Sequence, residues 1–387
     1  MSAMERRRIA GLLACACLAA TLAGCSTLDA INPFSSAPKQ KMAELAPIPG
    51  AAALTIRWQG AVGRSGGHVF SPAVVGSSVF AAAADGTLAR YDEGRERWRI
   101  AAGRALSGGV GADGKRVVVG TPKGEVLAFD AGGKPLWNVR VSSEVLAAPA
   151  VRDDLVIVRS GDNRLYALDA ADGKRRWIYQ RETPSLTLRS AAGVAVAGDV
   201  VLAGFPGGKL VAVSIANGAP RWEASVSIPK GATELERVAD VASTPLVAGG
   251  QVCAAAFQGK VACFDAAKGT PVWSRDLSSV AGIDADARHL YVTDERSVVH
   301  ALDRRTGTSV WRNDKLSLRG LTRALALAGY VAVADSKGYV HVLREGDGTL
   351  AARLATDGSA ILAAPRALDA GLLVQSSGGG LYAIALP

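Results

Sequence analysis

Through most of this chain, short runs of alternating apolar and polar residues are cut by glycine or polar pairs every few positions. Period-two alternation over four to eight residues predicts half-buried strands rather than helices. Six segments share one form: "GEVLAFDAGGKPLW" (124–137), "NRLYALDAADGKRRW" (163–177), "GKLVAVSIANGAPRW" (208–222), "GKVACFDAAKGTPVW" (259–273), "SVVHALDRRTGTSVW" (297–311) and the looser "GTLARYDEGRERW" (86–98). Each carries a turn, an alternating strand, a second turn, and a glycine four residues before a tryptophan. Upstream of the copies lie further β-branched runs, such as 117–120, 155–160, 200–204, 252–256, 290–293 and 331–334. With one strand before and one carrying the tryptophan, each unit holds four strands in about forty residues, the repeat of a propeller blade.

Both chain ends support a closed ring. A seventh copy (338–352) keeps Gly348 but has Ala352 in the tryptophan place, and an eighth (379–387) stops before reaching one. Of the seven tryptophans, Trp98, Trp137, Trp177, Trp222, Trp273 and Trp311 belong to copies, whereas Trp58 stands alone in "LTIRWQGAV". Trp58 therefore supplies the missing end of the eighth copy. The prediction is an all-β, eight-bladed propeller of four-stranded antiparallel blades over residues 53–387, its last blade closed by the N-terminal strand. Closure removes the exposed edges of an open array. One tryptophan per blade reads as cement between sheets, since a buried indole removes about 150–250 Å² from water. At Ala352 this predicts a looser junction or one filled by neighbours.

Composition agrees: hydrophobic residues make up 49% but aromatics only 5%, with 44 glycines, which suits many closely packed short strands. The N-terminus stands apart from the fold. Arg6, Arg7 and Arg8 precede an apolar run over 9–22, which closes on Leu22-Ala23-Gly24-Cys25. This resembles a lipoprotein signal of residues 1–24 with lipidation of Cys25. Ser26 in the next position implies sorting to the outer membrane. Residues 25–52, rich in Ala, Pro and Ser, read as the lipidated cysteine and a flexible tether. Loss of residues 1–24 removes three arginines and Glu5, lowering net charge from +9 to +7. Both signs are interspersed, unlike a nucleic-acid-binding stripe. Only Cys253 and Cys263 then remain besides Cys25. Flanking a Gln258-Gly259 turn, they are a candidate cross-strand disulfide or two buried small hydrophobes.

Catalytic chemistry is thin. His300 and His341 share one strand position in consecutive repeats, where other copies have Tyr, Leu or Ala, so packing explains them better than a metal pair. Glycine-rich strings such as "GGVGADGK" fall on hairpins without a following helix, so phosphate cradling is not indicated. No enzyme activity, metal or cofactor is expected.

Spacing between tryptophans carries the functional reading. Trp58, Trp98, Trp137 and Trp177 are 40, 39 and 40 residues apart, Trp177 to Trp222 is 45, Trp222 to Trp273 is 51, and Trp273 to Trp311 is 38. The surplus falls in two consecutive connectors. The first contains Leu186, Leu188 and Arg189, the second "GATELERVAD" (231–240). Connectors of a ring emerge on one face, and insertions commonly mark a working face.

The Gly-x-x-x-Trp ending after an Ala-x-Asp strand resembles the quinoprotein-type repeat. The non-repeat stretches "SLTLRS" (185–190), "TELERVADV" (233–241) and "DSKGYVHVL" (335–343), with the lipobox, make the chain similar to the BamB family over nearly its whole length. That resemblance implies a non-enzymatic, lipid-anchored scaffold of the outer-membrane β-barrel assembly (BAM) machinery, facing the periplasm. Implied partners are the periplasmic domains of BamA, the rest of the complex and unfolded outer-membrane proteins. Leu186, Leu188, Arg189 and Asp240 match the family's BamA-docking motif. The second acid of that pattern is Ala242 here, with Glu234 or Glu236 as a substitute charge. A structural role, in which the leucines staple the loop and Arg189 pairs with Asp240 across two blades, stands beside docking. The rivals are a quinoprotein dehydrogenase, for which the adjacent cysteines and calcium-ligand cluster are missing from the sequence, and a lipoprotein binding cell-wall polysaccharide.

Overall fold

The computed structural model describes residues 41–387. The signal segment, Cys25 and most of the expected tether lie outside that range. The alternating runs form eight four-stranded antiparallel sheets, with no α-helix among the described residues. Blades 1 to 7 span 73–101, 111–140, 150–179, 195–225, 246–276, 282–313 and 325–355. Blade 8 combines Arg366–Leu368, Gly371–Gln375 and Gly380–Ala385 with the N-terminal strand Thr55–Ala61. Within each of blades 1 to 7 the strands follow chain order, and short first strands of neighbouring blades meet around the axis. This strand order puts the blade-to-blade connectors and the turns between second and third strands on one face. The remaining turns lie on the opposite face.

The second and third strands are buried on both sides, as in Leu155–Arg159, because neighbouring sheets cover both faces. Fourth strands alternate exposed and covered positions, as in Pro135–Arg140. Ring closure has its own bonds. Val62 N–H donates to Gly379 O at 2.9 Å, and Gln375 Nε2 donates to Ala82 O of blade 1 at 2.9 Å.

The tryptophan and glycine of the repeat meet across blades. Nε1 of Trp98, Trp137, Trp177, Trp222, Trp273 and Trp311 each donates to a backbone carbonyl of the next blade at 2.8–3.1 Å. Each indole also lies over the next blade's repeat glycine. A Cβ at Gly348, where φ is 71°, would stand 2.3 Å from Trp311 Cε3, so both conformation and contact demand glycine. Trp58 caps Gly94 in the same way and stacks on Tyr91, ring centroids 6.0 Å apart. The rings are thus committed to blade junctions.

Ala352 follows from the same relationship. Blade 8 takes its third and fourth strands from opposite chain ends, so no glycine turn lies there for a tryptophan to cover. The junction is filled instead: Ala52, Leu54, Tyr382 and Leu386 pack against the cluster that contains the fully buried Ala352. Residues 43–52, assigned by sequence to the flexible tether, lie on the ring. Ala43 N–H donates to Ser317 O and Ala52 N–H to Ala351 O, both at 2.9 Å. Arg319 Nη1 donates to Ala43 O at 2.9 Å and Arg353 Nη1 to Ala46 O at 3.1 Å. Those arginines belong to a buried network: Asp335 Oδ2 accepts from Arg319 Nε at 2.6 Å and lies 2.9 Å from His341 Nε2.

In blade 5, Cys253 and Cys263 stand directly opposite each other on adjacent strands, bonded as a disulfide with Cα atoms 4.0 Å apart.

Candidate functional site

The two stretched intervals become connectors 180–194 and 226–245, both without strands, beside the shorter connector 141–149. Leu186 is 40% exposed and Leu188 half-buried, and neither belongs to the next strand, which begins at Ala195. Their different exposure has a backbone cause. Asp240 of the second connector is 3% exposed, and its Oδ2 accepts the N–H of Leu188 at 2.7 Å. Its Oδ1 accepts the N–H of Gly207 at 3.1 Å. Asp240 is itself fixed, because Phe257 N–H donates to its carbonyl at 2.8 Å. One buried carboxylate therefore ties the first connector to blade 4, and Leu188 is pinned while Leu186 projects.

Below this contact lies Arg159, which the sequence reading missed. Its guanidinium is buried, sits 5.5 Å from the centre of the Phe205 ring and donates to Asn163 Oδ1 at 2.8 Å. Burial pushes its pKa down to about 10, against the opposing pull of the Asp240 charge. The available signal was an arginine in "LVIVRSG", a run that blades 1, 2, 5 and 7 end with Gly or Ala.

Arg189 does not pair with Asp240. It turns to Glu144 in connector 141–149, with Nε and Nη2 donating to the two carboxylate oxygens at 2.8 and 2.7 Å. The hydrogen-bonded guanidinium holds the Glu144 carboxyl below its usual range, despite an opposing burial effect. The expected Arg189–Asp240 ion pair is thus replaced by two separate contacts, because Asp240 is spent on backbone N–H groups. The substitute charges near Ala242 are also engaged locally. Glu236 accepts from the N–H groups of Ala232 and Thr233 at 2.7 and 3.1 Å, and Glu234 pairs with Arg237 at 3.2 Å.

The second connector adds two apolar residues not singled out by sequence. Ile228 is 69% and Leu235 71% exposed. With Leu186, this face offers protruding apolar side chains on consecutive connectors, and Arg189, 61% exposed at its side chain, beside them. Such a set suits an apolar anchor with a directional cation for a protein partner.

His300 and His341 each bond a carboxylate of their own blade, Asp294 at 3.0 Å and Asp335 at 2.9 Å, rather than one another.

A solved structure described as a quinohemoprotein alcohol dehydrogenase from Pseudomonas putida HK5 superposes with TM-score 0.68 but 14% identity, over 86% of this chain and 75% of that one. At that identity the likeness is one of fold. The crystal structure of BamB from Moraxella catarrhalis superposes with TM-score 0.81 at 29% identity, over 86% of this chain and all of that one. The outer membrane protein assembly factor BamB of Bordetella pertussis is 42% identical over 370 residues, 95% of this chain and 96% of its own. The family described as outer membrane protein assembly factor BamB matches residues 84–313 and 296–386. Fold, repeat and these matches agree: the chain belongs to the BamB family.

Proposed function

We propose that this chain is a non-enzymatic scaffold of the outer-membrane protein assembly machinery, held at the outer membrane by lipid on Cys25 and facing the periplasm. Its relatives carry the name of outer membrane protein assembly factors, and the assembly role comes from that kinship. The docking surface for BamA is the pair of connectors 180–194 and 226–245. The observation that carries this is the Asp240–Leu188 bond, which fixes both connectors and leaves Leu186 outward. Leu186 supplies the anchor, Arg189 the charge, and Asp240 and Leu188 the frame.

The test is co-purification of BamA from solubilised outer membranes. Leu186→Asp should abolish it while the ring melts near its usual temperature. A chain with Glu144→Arg and Arg189→Glu together keeps the pair but moves its signs. Docking that reads the arginine charge is weakened in that swap, whereas docking that needs only the pair is retained. Undiminished recovery of BamA with Leu186→Asp contradicts the assignment.

A further inference from the structure

On the face opposite the long connectors, the seam between blades 6 and 7 gathers donor atoms that the sequence does not show as a cluster. Asp286 lies in the turn after the first strand of blade 6, His289 opens the second strand, and Glu345 follows the third strand of blade 7. His289 Nδ1 lies 3.3 Å from Asp286 Oδ2 and 3.9 Å from Glu345 Oε1, and one ligand atom of each residue falls within 4.8 Å of the others. We propose that Asp286, His289 and Glu345 bind a divalent transition-metal ion of the zinc class, linking blade 6 to blade 7.

The spacing decides the class of ion. Tetrahedral zinc, with nitrogen and oxygen ligands at about 2.0–2.1 Å, holds its donors roughly 3.3–3.4 Å apart. The His–Asp separation matches that edge, and the His–Glu separation exceeds it by about half an ångström. Calcium is disfavoured, because it takes six to eight oxygens and this site offers an imidazole. Water completes the shell, and Tyr291, whose hydroxyl donates to Asp286 Oδ2 at 2.5 Å, orients that carboxylate.

Bonds outside the donor set hold its frame. Asp286 Oδ1 accepts the N–H groups of Arg288 and His289, each at 2.6 Å, and Arg304 donates to the Asp286 carbonyl at 2.8 Å. Trp311 Nε1 donates to the Glu345 carbonyl at 2.8 Å. All three donor side chains are mostly shielded, whereas Arg288, 3.4 Å from Glu345, is 74% exposed and free to swing away as the ion enters. Two carboxylates and a neutral imidazole give the charge that a dication balances.

The probe is zinc chloride, titrated by equilibrium dialysis into the full mature chain in detergent, without a polyhistidine tag and after chelation. One zinc per chain is expected. His289→Ala and Glu345→Gln should each weaken binding at least ten-fold, His300→Ala should not, and equal calcium or magnesium should not compete. Zinc should also raise the melting temperature of the unsubstituted chain, reversibly on chelation, a readout that needs no variant. Unsaturable uptake, no rise in melting temperature at saturating zinc, or one-to-one binding that survives both His289→Ala and Glu345→Gln overturns the site.

Discussion

Asp240 and Leu188, fifty-two residues apart, are joined by a 2.7 Å hydrogen bond from a backbone N–H to a buried carboxylate. The same side chain holds Gly207 and faces the charge of buried Arg159. Asp240→Ala removes two charge-assisted bonds, each worth about 1.5–3 kcal/mol, and takes the opposing carboxylate charge away from Arg159. We expect a loss on the order of 3 kcal/mol or more in denaturant unfolding, together with faster proteolysis within 183–190. An unchanged cleavage pattern would show that the first connector holds its shape unaided.

Leu186 and Leu188 are two letters apart in a polar stretch, and the tryptophan spacing was enough to mark that stretch as an insertion. Which leucine faces outward was not legible, because the answer lies with a carboxylate in the next connector. The partner of Arg189 was hidden for a similar reason. Family pattern pointed forward to Asp240, whereas the ring brings back Glu144, forty-five residues upstream. Repeat, blade number and ring closure were readable because each depends on local periodicity. Contacts between connectors depend on how neighbouring blades pack, which no single repeat encodes.

The tryptophan–glycine junctions predict unequal costs for similar changes. Trp311→Ala loses the indole over Gly348 and its bond to Glu345, and should destabilise the ring by about 3–5 kcal/mol. Ala352→Trp, although it restores the repeat consensus, should not stabilise, since blade 8 lacks the glycine turn an indole would cover and Ala352 is already fully buried. Equilibrium denaturation of both variants checks the pair. A more stable Ala352→Trp chain would refute the reason given for its absence.

Acid should loosen blade 7 in two stages. Burial lowers the pKa of His341, so from its ordinary value near 6.5 downward the unfolded chain takes up the proton first and stability falls. Burial alone would raise Asp335, but His341, the Tyr339 N–H and Arg319 outweigh it and bring its pKa from 3.8 to about 2. That contribution, roughly 2 kcal/mol, is present above pH 3.8 and disappears as pH falls toward 2. Because Arg319 also holds Ala43, release of residues 43–52 should accompany the loss. Hydrogen exchange across pH 7 to 2 should show these amides deprotecting before blades 2 and 3. Uniform deprotection of all blades would count against the local network.

Cys253–Cys263 closes a short loop, and its removal should cost about 2–3 kcal/mol by the chain-entropy estimate. A thiol assay on denatured chain should read none of these two cysteines before reduction and both after it. Free thiols before reduction would mean that the strands pair without the bond.

In the proposed docking, Leu186 faces a partner rather than the blade beneath it. Its most direct test is the affinity of purified BamA periplasmic domains for the unsubstituted ring and for Leu186→Ala, with melting temperatures measured alongside. Leu186→Ala should raise the dissociation constant at least ten-fold, about 1.4 kcal/mol, at an unchanged melting temperature. Equal affinity in the two proteins, or a fall in melting temperature that accounts for the weaker binding, would contradict it.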